Sequence, residues 1–134
     1  MSIRDEEIDV LARTIWGEAR GEGPNGMMAV AEVIITRVKH AKRWPNDVIS
    51  VCQQPFQFSC WNENDPNLGK LLAVDDTDAT FAAALDIAQL AVDGLLQNTT
   101  KGADHYHEQS INPRWAHRET PVAVIGRHKF YKLA

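Results

Sequence analysis

Apolar side chains at Ile8, Leu11, Ala12, Ile15 and Trp16 recur at i, i+3, i+4, i+7 and i+8, the spacing of one helical face. Ser2 followed by Asp5 reads as a capping box that starts this helix. Gly21 and Gly23 end it, and Pro24 forbids its simple continuation. A second stripe, Met27, Val30, Ala31, Ile34, Val38 and Ala41, predicts another long helix, with Asn25 as its cap. Arg37, Lys39, Lys42 and Arg43 suit the negative end of its dipole. Trp44-Pro45 breaks the pattern, and Pro45 is placed to open a short helix through Val48, Ile49 and Val51. From Gln53 to Asn67 prolines and amides predict an ordered loop or short strand. Thr77 or Asp78 then starts a third long helix, with Phe81, Leu85, Ala88 and Val92 on one face and a stop near Gly94. Ala103 to His107 reads as a short strand, and Val122–Ile125 with His128–Leu133 as a hairpin around Gly126-Arg127. With no linker or repeat, the expectation is one mainly helical α+β domain over residues 1–134, carrying a small β-sheet.

Composition narrows the function classes. The 134 residues are 44% hydrophobic and 24% charged, ordinary globular values, with a formal net charge of -4. An acidic balance argues against nucleic acid as a partner, which needs a basic face. No apolar run approaches the roughly 20 residues of a transmembrane segment. The start, MSIRDEEIDV, lacks the basic and apolar regions of a signal peptide, so the expectation is a product without a secretion signal. A monomer is expected. Cys52 and Cys60 would close a nine-residue loop if bridged, a constraint of roughly 2.5 kcal/mol in the chain-entropy model. A disulfide in an oxidising compartment and two buried thiols both remain open.

Three groups of residues carry candidate chemistry. In WGEARGEG, Glu18 falls about 20° from Leu11 on the helical wheel, at the edge of the apolar face. A carboxyl there is partly desolvated, which raises its pKa and suits a glycosidase general acid. Glu22 points into the same face only if the helix survives Gly21. The bland alternative leaves both glutamates solvated, or pairs one with Arg13 or Arg20. His105 and His107 would share one side of a strand; with His117 or His128 they could make a three-ligand zinc site, or simply a hydrogen-bonding wall of neutral imidazoles. Gln57, Phe58, Trp61, Asn62, Tyr106, Asn112 and Trp115 mix flat apolar faces with amides, as a saccharide groove requires, although Phe58 and Trp61 also read as core.

Leu11–Cys52 (LARTIWGEARGEGPNGMMAVAEVIITRVKHAKRWPNDVISVC), FQFSCW at Phe56–Trp61, GADHYH at Gly102–His107 and GRHKFY at Gly126–Tyr131 resemble, in that order, the SleB-like cell-wall hydrolases, which include spore-cortex lytic enzymes and phage proteins. The first motif is long and specific; the last two are short. The resemblance implies a fold similar to lysozyme-like lytic transglycosylases, peptidoglycan glycan strands as substrate, and cleavage of the MurNAc–GlcNAc β-1,4 bond at the wall. It makes Glu18 the catalytic acid and gives Glu22 a supporting role. Spore enzymes carry an export signal and often a peptidoglycan-binding repeat, neither of which is in this sequence. The paired cysteines and QFSCW look more like the proteobacterial and phage branch, so an endolysin or virion-associated lysin is expected.

A hydrolysing glycosidase needs a second carboxylate about 5–9.5 Å from its acid. Glu32 reads as mid-helix on the polar side, while Glu63 and Asp65 lie in a loop and stay open. A one-glutamate transglycosylase fits better, with Gln57, Phe58, Ser59, Trp61, Tyr106 and His128, besides Glu22, contacting the sugar, and with neither metal nor cofactor. The alternatives are a hydrolysing muramidase, a zinc amidase or peptidase, and a non-catalytic saccharide-binding module.

Overall fold

The computed structural model describes residues 2–40 and 42–134; Ala41, assigned above to the second stripe, lies outside them. Five α-helices precede a three-stranded sheet: α1 (Ile3–Ala19), α2 (Gly23–Lys39), α3 (Val48–Cys52), α4 (Leu68–Ala73), α5 (Ala79–Val92), β1 (His105–Glu108), β2 (Ala123–Ile125) and β3 (His128–Tyr131). Single 3-10 turns occupy Arg20–Glu22, Ser59–Trp61 and Arg114–Ala116. No described helix is long and apolar enough to cross a membrane.

The local signals at the starts of α1 and α5 hold. Ser2 and Asp5 form the reciprocal capping box of α1, and Asp78 caps α5 by accepting from Phe81 N. Two caps differ. α2 begins at Gly23-Pro24, so Asn25 lies inside the helix. α3 begins at Val48, with Asp47 accepting from Ser50 N at 2.8 Å; the aspartate offers an acceptor that Pro45 lacks.

Leu11, Ala12, Ile15 and Trp16 of α1 pack with Val30 and Ile34 of α2 and Phe81 and Ala88 of α5 in the main core. Arg13 fastens α4 to this core. It donates to Leu71 O (2.7 Å) and Val74 O (2.9 Å), satisfying carbonyls at the end of a short helix, and lies over the Phe81 ring. It pairs with Asp9, not with either glutamate of the WGEARGEG motif. Arg20 covers Trp16, its guanidinium carbon 4.3 Å from the ring centroid.

Two charged residues of α2 are buried, Glu32 against its expected place on the polar side and Arg37 near the end of the helix. Glu32 accepts from Thr99 Oγ1 (2.6 Å), Thr100 N (2.9 Å) and Thr100 Oγ1 (3.0 Å), anchoring the segment before β1. Arg37 donates to Asp104 O at 2.8 Å and faces the rings of Trp44 and Phe58. Both satisfy the rule that a buried charge must be hydrogen-bonded, but their partners lie far along the chain.

The sheet order is β1-β3-β2, all antiparallel. Tyr106 opposite Phe130 and Glu108 opposite His128 share one face; His105 opposite Tyr131 and His107 opposite Lys129 share the other. On the first face Phe130 packs with Ala29 and Val33 of α2 in a second small core. The alternation turns Tyr106 and His128 toward the end of α1.

Candidate active site

Glu18 lies in the last turn of α1, and the residue before it decides what approaches it. A Cβ on Gly17 would stand 2.8 Å from Cys60 Cβ, 3.0 Å from Cys60 Sγ and 3.1 Å from Leu71 Cδ1. Gly17 therefore lets the Ser59–Trp61 turn seat directly on the helix. The result is a small cavity of about 80 Å³ lined by Glu18, Arg20, Ser59, Cys60, Asp65 and Asn67, with Trp16, Gly17 and Leu71 beneath. The cavity is partly open to solvent, so a ligand can reach Glu18 at its wall.

The Tyr106 hydroxyl donates to Glu18 Oε1 at 2.7 Å. Burial raises the Glu18 pKa above its ordinary 4.5; the bonds from Tyr106 and Cys60 lower it, the negative charge of Asp65 adds to the rise, and burial prevails. The Tyr106 phenol is itself pushed well up by burial and by the neighbouring Glu18, so it stays a donor. Burial also pushes the Cys52 thiol up to about 12 and the Cys60 thiol higher still, Glu18 adding to the latter. Both cysteines are free and buried, the second of the two states left open above. At those values they are inert packing thiols.

Behind Tyr106 stands His128, ring centroids 5.2 Å apart. Its Nδ1 is buried, has no hydrogen-bond partner and lies 3.8 Å from Glu22 Oε1. Burial lowers the His128 pKa against the pull of Glu22 and Glu108. Glu22, its side chain 9% exposed, accepts from Arg127 N (2.8 Å) and pairs with Arg127 Nε (3.1 Å). Burial pushes the Glu22 carboxyl up, but those bonds outweigh it and hold its pKa below 4.5. Two glycines make room for this side chain. A Cβ on Gly26 would meet Glu22 Cβ, and Gly126, at φ 57°, faces Glu22 Oε1. Glu22 thus clamps the β2–β3 turn to the α1–α2 junction. The backbone amide it bonds is that of Arg127.

The structure brings together Glu18, Ser59 and Tyr106, with His128 and Glu22 one layer behind. Trp61 donates from Nε1 to Thr14 Oγ1 (2.9 Å) and borders a neighbouring groove, while Gln57 is exposed and does not line the cavity. Phe58 is 3% exposed; its ring is core beneath Arg37 and offers no face to a sugar. Trp115 stands on the opposite side of the sheet with His105 and His107, centroids 5.1 and 5.6 Å away. That side forms a hydrogen-bonded wall: His105 Nδ1 donates to Asp104, and His107 bonds Glu108 O and the Tyr131 hydroxyl. His117 turns to Asn112 O and His128 to Glu22. Among the described residues no three His, Cys, Asp or Glu side chains gather as a metal-binding set. Asp65 and Asn67 enter the cavity from the loop before α4, a helix the apolar pattern did not announce.

The family model described as Cell Wall Hydrolase matches residues 21–131. The spore cortex-lytic enzyme of Bacillus subtilis strain 168 is 38% identical over 126 residues, covering 94% of this chain and 37% of that protein. The spore cortex-lytic enzyme of Halalkalibacterium halodurans is 30% identical over 127 residues, covering 94% and 34%. The chain therefore spans little more than a third of the length of these relatives. Coverage that broad leaves too few residues outside it to exclude Glu18, which precedes the family-model match. Among solved structures, the catalytic domain of the Bacillus cereus SleB protein superposes with TM-score 0.72 at 28% identity, covering 96% of this chain and 91% of that one. The catalytic domain of the germination-specific lytic transglycosylase SleB of Bacillus anthracis gives the same TM-score and identity, covering 98% and 97%. These superpositions make the fold lysozyme-like, and with most of its length matched by the family model the chain belongs to the cell wall hydrolase family.

Proposed function

We propose that this domain degrades peptidoglycan as a lytic transglycosylase, with Glu18 as its single acid and base. The observation that carries the reading is a glutamic acid whose pKa burial raises, at the wall of a small cavity, oriented by a tyrosine hydroxyl 2.7 Å away. Family membership supports the substrate, and the transglycosylase named among the solved relatives supports the reaction type.

Protonated Glu18 gives its proton to the oxygen of the MurNAc–GlcNAc β-1,4 bond as that bond breaks. Its carboxylate then takes the proton of the MurNAc C6 hydroxyl, whose oxygen attacks C1 and closes a 1,6-anhydro ring without water. Proton and charge balance, and Glu18 returns to its acid form. Tyr106 holds the carboxyl through both steps, and Ser59 and Asn67 at the cavity wall face the sugar. His128 and Glu22 act through Tyr106 and the hairpin as positioning residues. The substrate places the work at the cell wall, and residues 1–134 act as one monomeric catalytic domain.

A second reading, a hydrolysing muramidase, rests on Asp65, whose carboxylate lines the same cavity as Glu18 and could hold an attacking water. Mass spectrometry of digested sacculi separates the two: anhydromuropeptides support the transglycosylase, and reducing-end muropeptides support hydrolysis. Asp65→Asn adds an independent arm. It abolishes activity if Asp65 is the base. In the one-glutamate route it retains activity and moves the alkaline limb of the pH profile to lower pH, because a charge that raises the Glu18 pKa is gone.

A further inference from the structure

Phe56 stands apart from the other phenylalanines. Phe58, Phe81 and Phe130 are 3% exposed or less, whereas Phe56 is 88% exposed. Its φ is 64°, in the left-handed region that a bulky residue adopts only under constraint. Such strain persists where surroundings or function enforce it. Phe56 borders a groove of about 770 Å³ lined by Pro55, Phe56, Trp61, Asn62, Glu63 and Asn64. The Trp61 ring is pinned from behind by its bond to Thr14 Oγ1.

We propose that Phe56 and Trp61 form a stacking subsite for an uncharged N-acetylhexosamine ring of the glycan strand, beyond the Glu18 cavity; this rests on the peptidoglycan reading above. The occupant follows from three observations. The lining pairs two aromatic faces with two amides, the chemistry that holds a pyranose ring and its equatorial hydroxyl and acetamido groups. Glu63 is the charged group of that lining and no cation accompanies it, so a phosphate-bearing polymer is disfavoured. Ser59, Cys60 and Asp65 line the catalytic cavity while the residues between, Trp61 to Asn64, line the groove. One loop therefore borders both, and a single strand can run from one to the other.

The left-handed φ makes the test unusually clean, because glycine there relieves strain while deleting the ring. In a Glu18→Gln background, Phe56→Gly should raise the melting temperature yet weaken co-sedimentation with purified sacculi by roughly five- to tenfold, the scale of one aromatic contact. Phe56→Tyr should bind as the parent does. In the active enzyme, Phe56→Gly should raise KM for sacculi with kcat nearly unchanged. Unaltered sedimentation by Phe56→Gly overturns the proposal, as does a fall in melting temperature, which would make Phe56 a packing residue. If the wild-type protein releases no muropeptides but Phe56→Gly still weakens sedimentation, the reaction is misread and the subsite stands.

Discussion

Gly17→Ala sets two opposed effects against each other at the residue before Glu18. Alanine is the better helix former by about 1 kcal/mol, so an exposed glycine in α1 would gain stability on substitution. Here the new methyl would lie 2.8 Å from Cys60 Cβ and 3.1 Å from Leu71 Cδ1, inside the roughly 3.5–4.0 Å of ordinary carbon contacts. The nearer neighbour is a Cβ, which moves only with its backbone. Forcing a methyl into such a contact costs about 1–3 kcal/mol, so the net expectation is a loss of about 1 kcal/mol. Urea denaturation measures it. Gly69 of α4 is the control: nothing lies within 4 Å of its Cβ position, and Gly69→Ala should be neutral or stabilising by up to about 1 kcal/mol. Activity should suffer more than stability, because the displaced turn carries Ser59 and Cys60 of the cavity wall; a shift of about 1 Å at a site can cost roughly a hundredfold. If Gly17→Ala gains stability like the control and clears murein suspensions normally, the seating of the Ser59–Trp61 turn against α1 is not what builds the cavity.

Glu18→Gln should abolish murein clearing with the fold intact. Since the folded state raises the Glu18 pKa, wild-type stability falls as pH rises through that value, so the variant should melt higher at neutral pH and lose the advantage below about pH 4. Tyr106→Phe removes a bond that lowers the Glu18 pKa; the surviving activity should extend to higher pH, read as an alkaline shift of the falling limb of kcat. Glu22→Gln has the opposite sign. Its lowered pKa stabilises above the ordinary value and that stability is lost as pH falls through the folded value. The variant should thus be weaker than wild type in urea at neutral pH and approach it as pH falls below the ordinary carboxylate range.

The elements set by short-range chemistry were legible in the sequence. A capping box, an aspartate before an apolar stripe and a glycine turn between two alternating segments act within a few residues, and α1, α5 and the β2–β3 hairpin follow from them. Glu18 was visible for the same reason, since the helical wheel alone sets it beside the apolar face. What escaped depends on remote partners. Glu32 reads as a solvated charge until Thr99 and Thr100 arrive from 67 and 68 residues away. Glu22 meets Arg127 across 105 residues, and no local rule could choose that amide over one nearby. Phe58 and Phe56 sit two apart in one motif, one core and one exposed, because loop geometry rather than periodicity directs them.

The strand order β1-β3-β2 has a consequence for when the Glu18 site can form. The central strand is the last of the three to be synthesised. Until His128–Tyr131 has left the ribosome, β1 and β2 have no common neighbour to pair with, and Tyr106 lacks the strand that holds it against Glu18. A chain that lacks β3 can carry every residue of the cavity and still leave Glu18 without the strand that backs Tyr106. The seating of Tyr106 against Glu18 is thereby tied to the emergence of β3.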